Sequence, residues 1–121
     1  MVNLHEINES AFEYYARLRR IRQHVEQFYC EPLSLQKAAS IAGMERKYFS
    51  TFFHRKVGVC FRHWLMWVRI RKAIRLIESE DSSITEVALA HGFTDLRTFE
   101  RAFKRCTGLT PFQFRKRSRP S

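Results

Sequence analysis

The chain has 121 residues, of which 45% are hydrophobic, and a formal net charge of +10 at pH 7. This length suits one domain with a modest core, and no run approaches the roughly 20 apolar residues that span a bilayer. Because the first dozen residues are polar and acidic, the sequence predicts no signal peptide. The three cysteines are far apart and odd in number, so we expect neither disulfides nor zinc, and a reducing cytoplasm.

The positive charge is unevenly distributed along the chain. Residues 1–45 hold five basic and six acidic side chains, whereas residues 46–121 hold seventeen basic and six acidic ones. Such a distribution is typical of a protein that binds a polyanion. Charge alone does not distinguish DNA from RNA or from an acidic membrane surface.

In chain order, the first predicted element is a helix from Ala11 to about Phe28, after about ten frayed residues. Its buried stripe is predicted to consist of Leu18, Ile21, Val25 and Phe28. Its four arginines are interpreted as a solvated face rather than as DNA contacts: Arg17, Arg19, Arg20 and Arg22.

A pair of short helices follows. The first is predicted from Leu35 to Ala42 with Ser34 as its N-cap, and the second from about Glu45 to Val57. The second helix should bury Phe49, Phe52 and Phe53. The candidates for base contact on its opposite face are Arg46, Lys47, Ser50 and Thr51, and the candidates for phosphate contact near its end are Arg55 and Lys56.

The longest predicted helix runs from Cys60 to about Ser79. The spacing of its apolar residues predicts a core of Phe61, Trp64, Leu65, Val68, Ala73, Leu76 and Ile77. Five basic and no acidic side chains lie between Gly58 and Ile77, and Arg71 and Arg75 are the candidates for phosphate contact. We expect Arg69 to form an internal ion pair.

A second pair of helices turns at His91-Gly92-Phe93. Ser83 is predicted to cap its first helix and Asp95 its second, on which Phe99 and Phe103 share one face. The base-contact candidates on this second helix are Leu96, Arg97, Glu100 and Arg101, and the phosphate candidates are Lys104 and Arg105. A short helix should begin at Pro111 and end near Arg115, before a disordered basic tail.

The two pairs are copies of one pattern. Residues 34–44 match residues 83–93 at an offset of 49, and after the turn the offset is 50, so that Phe49 matches Phe99 and Gly58 matches Gly108. Two turned helix pairs with a basic second helix are typical of DNA-binding helix-turn-helix units. The predicted fold is therefore all-α, with two helix-turn-helix subdomains joined by a long central helix and about seven helices in total. The predicted segments are 1–58, 59–79 and 80–121.

These residues resemble the DNA-binding region of the AraC/XylS family of bacterial transcription regulators. The matching positions are Ile84, Ala88, Gly92-Phe93, Asp95, Phe99, Phe103-Lys104, Gly108, Thr110-Pro111 and Phe114-Arg115, preceded by Arg69-Ile70, Ala73 and Leu76-Ile77. The resemblance implies base contacts from the positions of Lys47, Thr51 and Arg101. One departure is Glu45, where the family has a small N-capping hydroxyl. Since Glu caps poorly, the start of that helix is not fixed by the sequence.

The resemblance implies a sequence-specific regulator of transcription that binds double-stranded DNA in the bacterial nucleoid. A central helix of 19 residues is about 28 Å long, close to the roughly 34 Å between successive major grooves. We therefore expect a monomer to place both basic helices in adjacent major grooves. Whether regulation is positive or negative stays open, and an activator would have RNA polymerase as a partner.

Two other classes of function stay open, an RNA-binding module and a helical protein-interaction module that retains the fold. The sequence contains no aromatic-sheet or GXXG pattern of RNA modules. It also contains no glycine-rich phosphate loop, nucleophile elbow or histidine pair suited to a metal. We therefore expect no enzyme activity, cofactor or metal.

Overall fold

The computed structural model of the chain describes residues 6–79 and 82–118. Within these ranges the chain forms eight α-helices and no β-strand, which confirms the all-α fold with two helix-turn-helix pairs. The helices are α1 (Ser10–Tyr14), α2 (Ala16–Phe28), α3 (Leu35–Ala42), α4 (Arg46–Val57), α5 (Phe61–Ser79), α6 (Ile84–Ala90), α7 (Leu96–Thr107) and α8 (Pro111–Ser118).

The helices form two compact units. The first unit contains the described residues up to Leu65, and the second contains those from Met66 onward. Each unit has one helix-turn-helix, in which the first helix is called the scaffold helix and the second the recognition helix. They are α3 and α4 in the first unit, and α6 and α7 in the second. The division into the three predicted segments stays a prediction.

An aromatic cluster forms the core of the first unit. Phe12 of α1 stacks on Trp64 of α5 with 5.0 Å between ring centroids, and Phe53 of α4 lies edge-on to Phe61 at 5.4 Å. Phe49 and Phe53, four residues apart on one face of α4, are fully buried. Such ring pairs contribute about 0.5–1.5 kcal/mol each beyond their buried area. They fix the recognition helix through the face opposite its charged side chains.

The N-terminal part of the first unit differs from the sequence prediction. The single helix predicted from Ala11 is wrong, because Tyr15 has an extended backbone (φ −102°, ψ 117°) that separates α1 from α2. The ring of Tyr15 packs on Phe52 at 5.2 Å between centroids. That contact joins residues far apart in sequence, so no local pattern indicated the break. The break divides the predicted helix into α1 and α2, so the described residues contain eight helices where the sequence predicted about seven.

The segment before α1 is held in place, although the sequence predicted fraying there. The Asn8 amide N–H donates to the Val57 carbonyl at 2.7 Å, and its side-chain Nδ2 donates to the Lys56 carbonyl at 3.1 Å. These carbonyls belong to the last turn of α4, where carbonyl groups have no hydrogen-bond partner within the helix. The prediction of frayed residues is therefore wrong for residues 6–10, while residues 1–5 lie outside the described ranges.

The buried stripe of α2 is confirmed at three of its four positions, Leu18, Ile21 and Val25. The fourth, Phe28, is 39% exposed. It is the last residue of α2, and its ring lies against His24 at 5.0 Å rather than in the core. Phe52, also predicted to be buried, is only half-buried.

The second unit has its own core, built from α5, α6 and α7. Its buried residues are Ile70, Ala73, Ile77, Val87, Ala88, Phe93, Phe99, Ala102 and Phe103. Leu76, predicted to be core, is half-buried against this cluster, and so is Met66. The ring of Phe114 on α8 lies edge-on to that of Phe103 at 5.3 Å. Arg115 Nε donates to the Ile77 carbonyl at 3.1 Å, which ties α8 to α5.

The C-terminal helix is longer than predicted. Pro111 begins α8 as expected, but the helix continues to Ser118 instead of ending near Arg115. Lys116 to Ser118 are therefore helical rather than part of a disordered tail, and residues 119–121 lie outside the described ranges. None of the described helices is both long and apolar enough to cross a membrane.

Candidate nucleic-acid interface

The first helix-turn-helix is fixed at both ends of its scaffold helix. Ser34 Oγ accepts a hydrogen bond from the Lys37 amide at 3.1 Å, which confirms the predicted cap. At the other end Gly43 adopts a left-handed backbone with φ +72°, and its amide donates to the Ser40 carbonyl at 3.0 Å. This is the sharp helix end that the turn requires.

Glu45 caps the recognition helix α4. Its Oε1 accepts from the Lys47 amide at 3.1 Å, and its Oε2 accepts from the Tyr48 amide at 3.0 Å. The expectation that Glu45 caps poorly is wrong, because its two oxygens accept from two successive free amides of the first turn. These two backbone hydrogen bonds lower the pKa of Glu45 below its ordinary value. The start of α4 is thereby fixed at Arg46.

The base-contact candidates of α4 lie opposite its buried phenylalanines. Arg46, Lys47 and Thr51 are exposed, and Ser50 is half-buried. Tyr48, which no sequence pattern singled out as a candidate, is 74% exposed and lies three residues before Thr51 on the same face. The sequence does contain a signal of this exposure, because a residue directly beside Phe49 cannot lie in the buried stripe of the same helix.

The two phosphate candidates at the end of α4 differ in their surroundings. Arg55 is exposed. Lys56 is half-buried, and its Nζ lies 5.3 Å from the centroid of the Tyr15 ring. A cation over an aromatic face is stabilised there, so Lys56 also has a role within the first unit.

The second helix-turn-helix repeats the construction of the first. Ser83 Oγ accepts from the Glu86 amide at 3.1 Å, which confirms the predicted cap of α6. Gly92 in the turn has φ +91°, as the left-handed position requires. Asp95 caps α7, since its Oδ1 accepts from the Thr98 amide at 2.7 Å and its Oδ2 from the Thr98 hydroxyl at 3.1 Å. These hydrogen bonds lower the pKa of Asp95.

A buried histidine supports the second turn. His91 is only 5% exposed, and its Nδ1 lies 2.7 Å from the Val87 carbonyl, to which it donates. From the sequence, His91 is predicted only to lie in the turn. Its location directly before Gly92, at the end of α6, was the available signal of a structural role.

The recognition helix α7 separates its apolar and basic faces. Phe99, Ala102 and Phe103 are buried. Its exposed basic side chains are Arg97, Arg101, Lys104 and Arg105. Glu100 is half-buried, and Leu96 is half-buried against the core of the second unit, which favours packing over base contact for that residue.

The remaining phosphate candidates lie on α5. Arg71 and Arg75 are both exposed, four residues apart on one face of the helix. Arg69, for which the sequence predicted an internal ion pair, is half-buried. Its ion pair stays a prediction.

The described residues contain no cluster of side chains suited to a metal ion. Across residues 6–79 and 82–118, no three His, Cys, Asp or Glu side chains are close enough together to hold a metal ion. The exposed side chains of the two recognition helices and of α5 include several arginines and lysines.

Comparison with known families supports the helix-turn-helix assignment. A family model described as a helix-turn-helix domain matches residues 38–117 of the chain. The chain is also 32% identical, over 99 residues, to an uncharacterised HTH-type transcriptional regulator of Staphylococcus aureus strain MSSA476. This match covers 82% of the chain but only 13% of the relative, so the chain spans a small part of that protein's length.

Two solved structures are similar in both sequence and fold. The DNA-binding domain of AdpA, a global transcriptional factor solved in complex with a target DNA, is 27% identical with a TM-score of 0.76, over 82% of this chain and 89% of that one. The C-terminal domain of AraT, a response regulator from Geobacillus stearothermophilus, is 29% identical with a TM-score of 0.81, over 88% of this chain and 89% of that one. Duplicated turns, capped recognition helices and these matches agree that the chain belongs to the AraC-type helix-turn-helix family of DNA-binding transcription regulators.

Proposed function

We propose that the chain binds one specific DNA site as a monomer, with α4 and α7 in adjacent major grooves. The observation that carries this proposal is the presence of two capped recognition helices in one chain, each anchored by a buried phenylalanine pair and exposing basic side chains on the opposite face. The N-terminal turns of a recognition helix are the part that approaches base edges. The solved complex of the AdpA domain with its target DNA supports duplex DNA as the ligand.

The base contacts we propose come from the exposed side chains near the start of each recognition helix. On α7 these are Arg97 and Arg101, whose planar guanidinium groups match guanine O6 and N7. Glu100 would accept from cytosine N4. On α4 the candidates are Arg46, Lys47, Ser50 and Thr51. Tyr48 joins them because its side chain is exposed.

The phosphate contacts we propose come from basic side chains further along the same helices and on α5. They are Arg55, Lys56, Arg71, Arg75, Lys104 and Arg105. Neutralising a phosphate releases counterions, so each such contact steepens the fall of affinity with salt. Arg71 and Arg75 should therefore affect all duplexes alike.

Because α4 and α7 differ in sequence, we expect an asymmetric site rather than a palindrome. Two different recognition helices in one chain remove the need for a symmetric dimer. If their spacing falls short of one turn of DNA, the duplex must bend, at a cost of about 1–6 kcal/mol. We propose that this binding occurs on the chromosome in a bacterial cytoplasm, and that RNA polymerase is the partner if the chain activates transcription.

The experiment is selection of bound duplexes from a random pool, followed by footprinting and sedimentation on the shortest selected duplex. We expect one non-palindromic sequence of about two turns, roughly 20 base pairs, occupied by one protein. Scrambling either half of the selected site should weaken binding, because each half is proposed to contact one recognition helix. Occupation of the minimal site only by a dimer would contradict the monomer, and preference for single-stranded RNA would contradict the choice of duplex DNA.

A further inference from the structure

Helix α2 lies outside both helix-turn-helix pairs, and its four arginines have different environments. Arg22 Nη2 forms a 2.9 Å ion pair with Glu13 Oε1, and its guanidinium lies 5.5 Å from the centroid of the Phe12 ring. Arg19 donates to the Glu13 carbonyl. These two arginines therefore hold α1 against α2.

The other two arginines of α2 converge on the first turn. Arg17 Nη1 donates to the Gly43 carbonyl at 2.6 Å. A Cβ atom placed on Gly43 would lie 3.5 Å from Arg20 Nη1 and 4.0 Å from Arg17 Nη1. The ends of both guanidinium groups thus lie beside the same turn residue, while both side chains remain exposed to solvent.

This pair of cations has unused capacity to bind an anion. In the described part of the chain neither guanidinium lies within ion-pair distance of a carboxylate, in contrast to Arg22. A guanidinium has five N–H donors, and Arg17 donates one of them to the Gly43 carbonyl. Two like charges at one turn repel each other, so an anion bound between them is favoured by both.

The location of the pair indicates which anion it meets. Gly43 is followed by Met44 and by Glu45, the N-cap of α4, so the pair borders the N-terminal end of the recognition helix. That end approaches the DNA in a helix-turn-helix complex. Planar guanidinium groups match the geometry of phosphate oxygens.

We propose that Arg17 and Arg20 form a clamp, the α2 clamp, for a backbone phosphate beside the major groove that α4 enters. The clamp rests on the proposed function and adds to it a contact from outside both helix-turn-helix pairs. Arg20 is the principal phosphate ligand, and Arg17 both holds the turn through the Gly43 carbonyl and shares the phosphate. The clamp is the alternative to the solvated face that the sequence predicts for these two arginines.

The test compares Arg20→Gln with Arg19→Gln in salt titrations of the full chain on the selected duplex. Both substitutions remove one positive charge from α2, but Arg19 is bound to the Glu13 carbonyl and not to the turn. Loss of one phosphate contact should reduce the log–log salt slope by about 0.9. We expect this reduction for Arg20→Gln, equal losses of affinity on selected and random duplexes, and an unchanged slope for Arg19→Gln.

Two further measurements distinguish the clamp from a structural effect of the substitution and from a site for a free anion. Arg20→Lys keeps the charge and should keep the slope, whereas a slope that falls with Arg20→Lys as far as with Arg20→Gln would contradict a phosphate contact. Inorganic phosphate should compete with the duplex no better than chloride at matched ionic strength. Additional, saturable competition by phosphate would assign the pair to a free anion and overturn the clamp on DNA.

The outcomes for the clamp and for the proposed function are distinct. A wild-type chain with a steep salt slope that Arg20→Gln leaves unchanged would overturn the clamp alone. A wild-type chain that binds no duplex would overturn the proposed function and the clamp together.

Discussion

At the scale of single residues, two carboxylates occupy the same place in the two units. Glu45 accepts from the Lys47 and Tyr48 amides at the start of α4, and Asp95 accepts from the Thr98 amide and hydroxyl at the start of α7. Both caps use free amides of a first turn, where the helix dipole also favours a negative charge. Each recognition helix therefore begins at a point fixed by an ionised side chain.

These caps predict acid sensitivity. The pKa of Glu45 and that of Asp95 are lowered in the folded chain, chiefly by backbone hydrogen bonds. A lowered folded-state pKa means that the stabilisation is present above the unfolded-state pKa, near 4, and is lost as pH falls through the folded-state value. The free energy of unfolding should thus decline below about pH 4–5. Urea denaturation across pH 6 to 2.5 measures this decline.

The matched variants are Glu45→Gln and Asp95→Asn, which remove the ionisable group at each cap. Each should reduce the acid-dependent part of the decline relative to wild type. Carboxyl NMR titration gives a direct check, with Glu45 and Asp95 titrating below their ordinary values. A midpoint at or above the ordinary value for either residue would contradict the cap as its pKa determinant.

The cysteines predict a graded reactivity. Burial raises the pKa of the Cys106 thiol to about 11, whereas Cys30 is exposed. The thiolate is the reactive form, so at pH 8 only about one Cys106 thiol in a thousand is ionised. Iodoacetamide followed by peptide mass spectrometry should label Cys30 first and Cys106 only slowly until urea unfolds the chain. Equal labelling rates for the two in the folded chain would refute a protected Cys106.

At the scale of elements, the ends of the two recognition helices provide an internal comparison. Gly58 ends α4 and Gly108 ends α7, both in the left-handed region with φ +98° and +85°. A Cβ atom on Gly58 would lie 2.3 Å from the Glu6 carbonyl oxygen, whereas a Cβ on Gly108 would meet no atom within 4 Å. Only the first site is covered by another segment of backbone.

Alanine at these two glycines should therefore have unequal effects. Gly108→Ala should cost about 1–2 kcal/mol for the left-handed backbone alone. Gly58→Ala should cost at least about 1 kcal/mol more, since residues 6–8 must move away and weaken the hydrogen bonds of Asn8 to the end of α4. Urea denaturation of both variants measures the difference. Equal losses would show that the segment before α1 yields without cost.

The sequence predicted most elements correctly because their signals are local. Ser34, Ser83 and Asp95 cap their helices as their spacing indicated, and Gly92 takes the left-handed turn. Two of the failures, the break at Tyr15 and the ordered segment before α1, involve contacts between residues distant in sequence. The break at Tyr15 goes with packing on Phe52 and Lys56 of α4, which a periodicity confined to α1 and α2 does not encode.

The sequence predicted the residues of the candidate site more completely on α7 than on α2. Amphipathic spacing was sufficient to assign the basic face of α7, because Phe99 and Phe103 define its buried side. Leu96 was assigned to base contact on helical position alone, yet it packs against the core of its unit. Arg17 and Arg20 reach Gly43 across 26 and 23 residues of sequence, so only the tertiary structure brings them to the turn.

At the scale of the whole molecule, we expect the two units to contribute unequally to sequence recognition. On α7 four basic side chains are exposed, and a guanidinium occurs in its first two turns at Arg97 and Arg101. On α4 the corresponding positions include Lys47 and Thr51, which offer fewer planar donors. We therefore expect the second half of the DNA site to be the more restricted in sequence.

If the chain recognises a DNA sequence through its recognition helices, the effect of a single substitution should be most specific at Arg101. Arg101 is exposed near the start of α7, close enough to Asp95 to help lower the pKa of that carboxyl. Arg105 lies one turn further on the same exposed face and serves as the control for phosphate contact.

The measurement is a set of titrations of wild type, Arg101→Ala and Arg105→Ala on the selected duplex and on a random duplex at one fixed salt concentration. If Arg101 pairs with guanine, Arg101→Ala should lose about 1–3 kcal/mol on the selected duplex and much less on the random one. Arg105→Ala should lose similar amounts on both. Equal losses on both duplexes for Arg101→Ala would contradict base recognition by Arg101 and assign it to the DNA backbone.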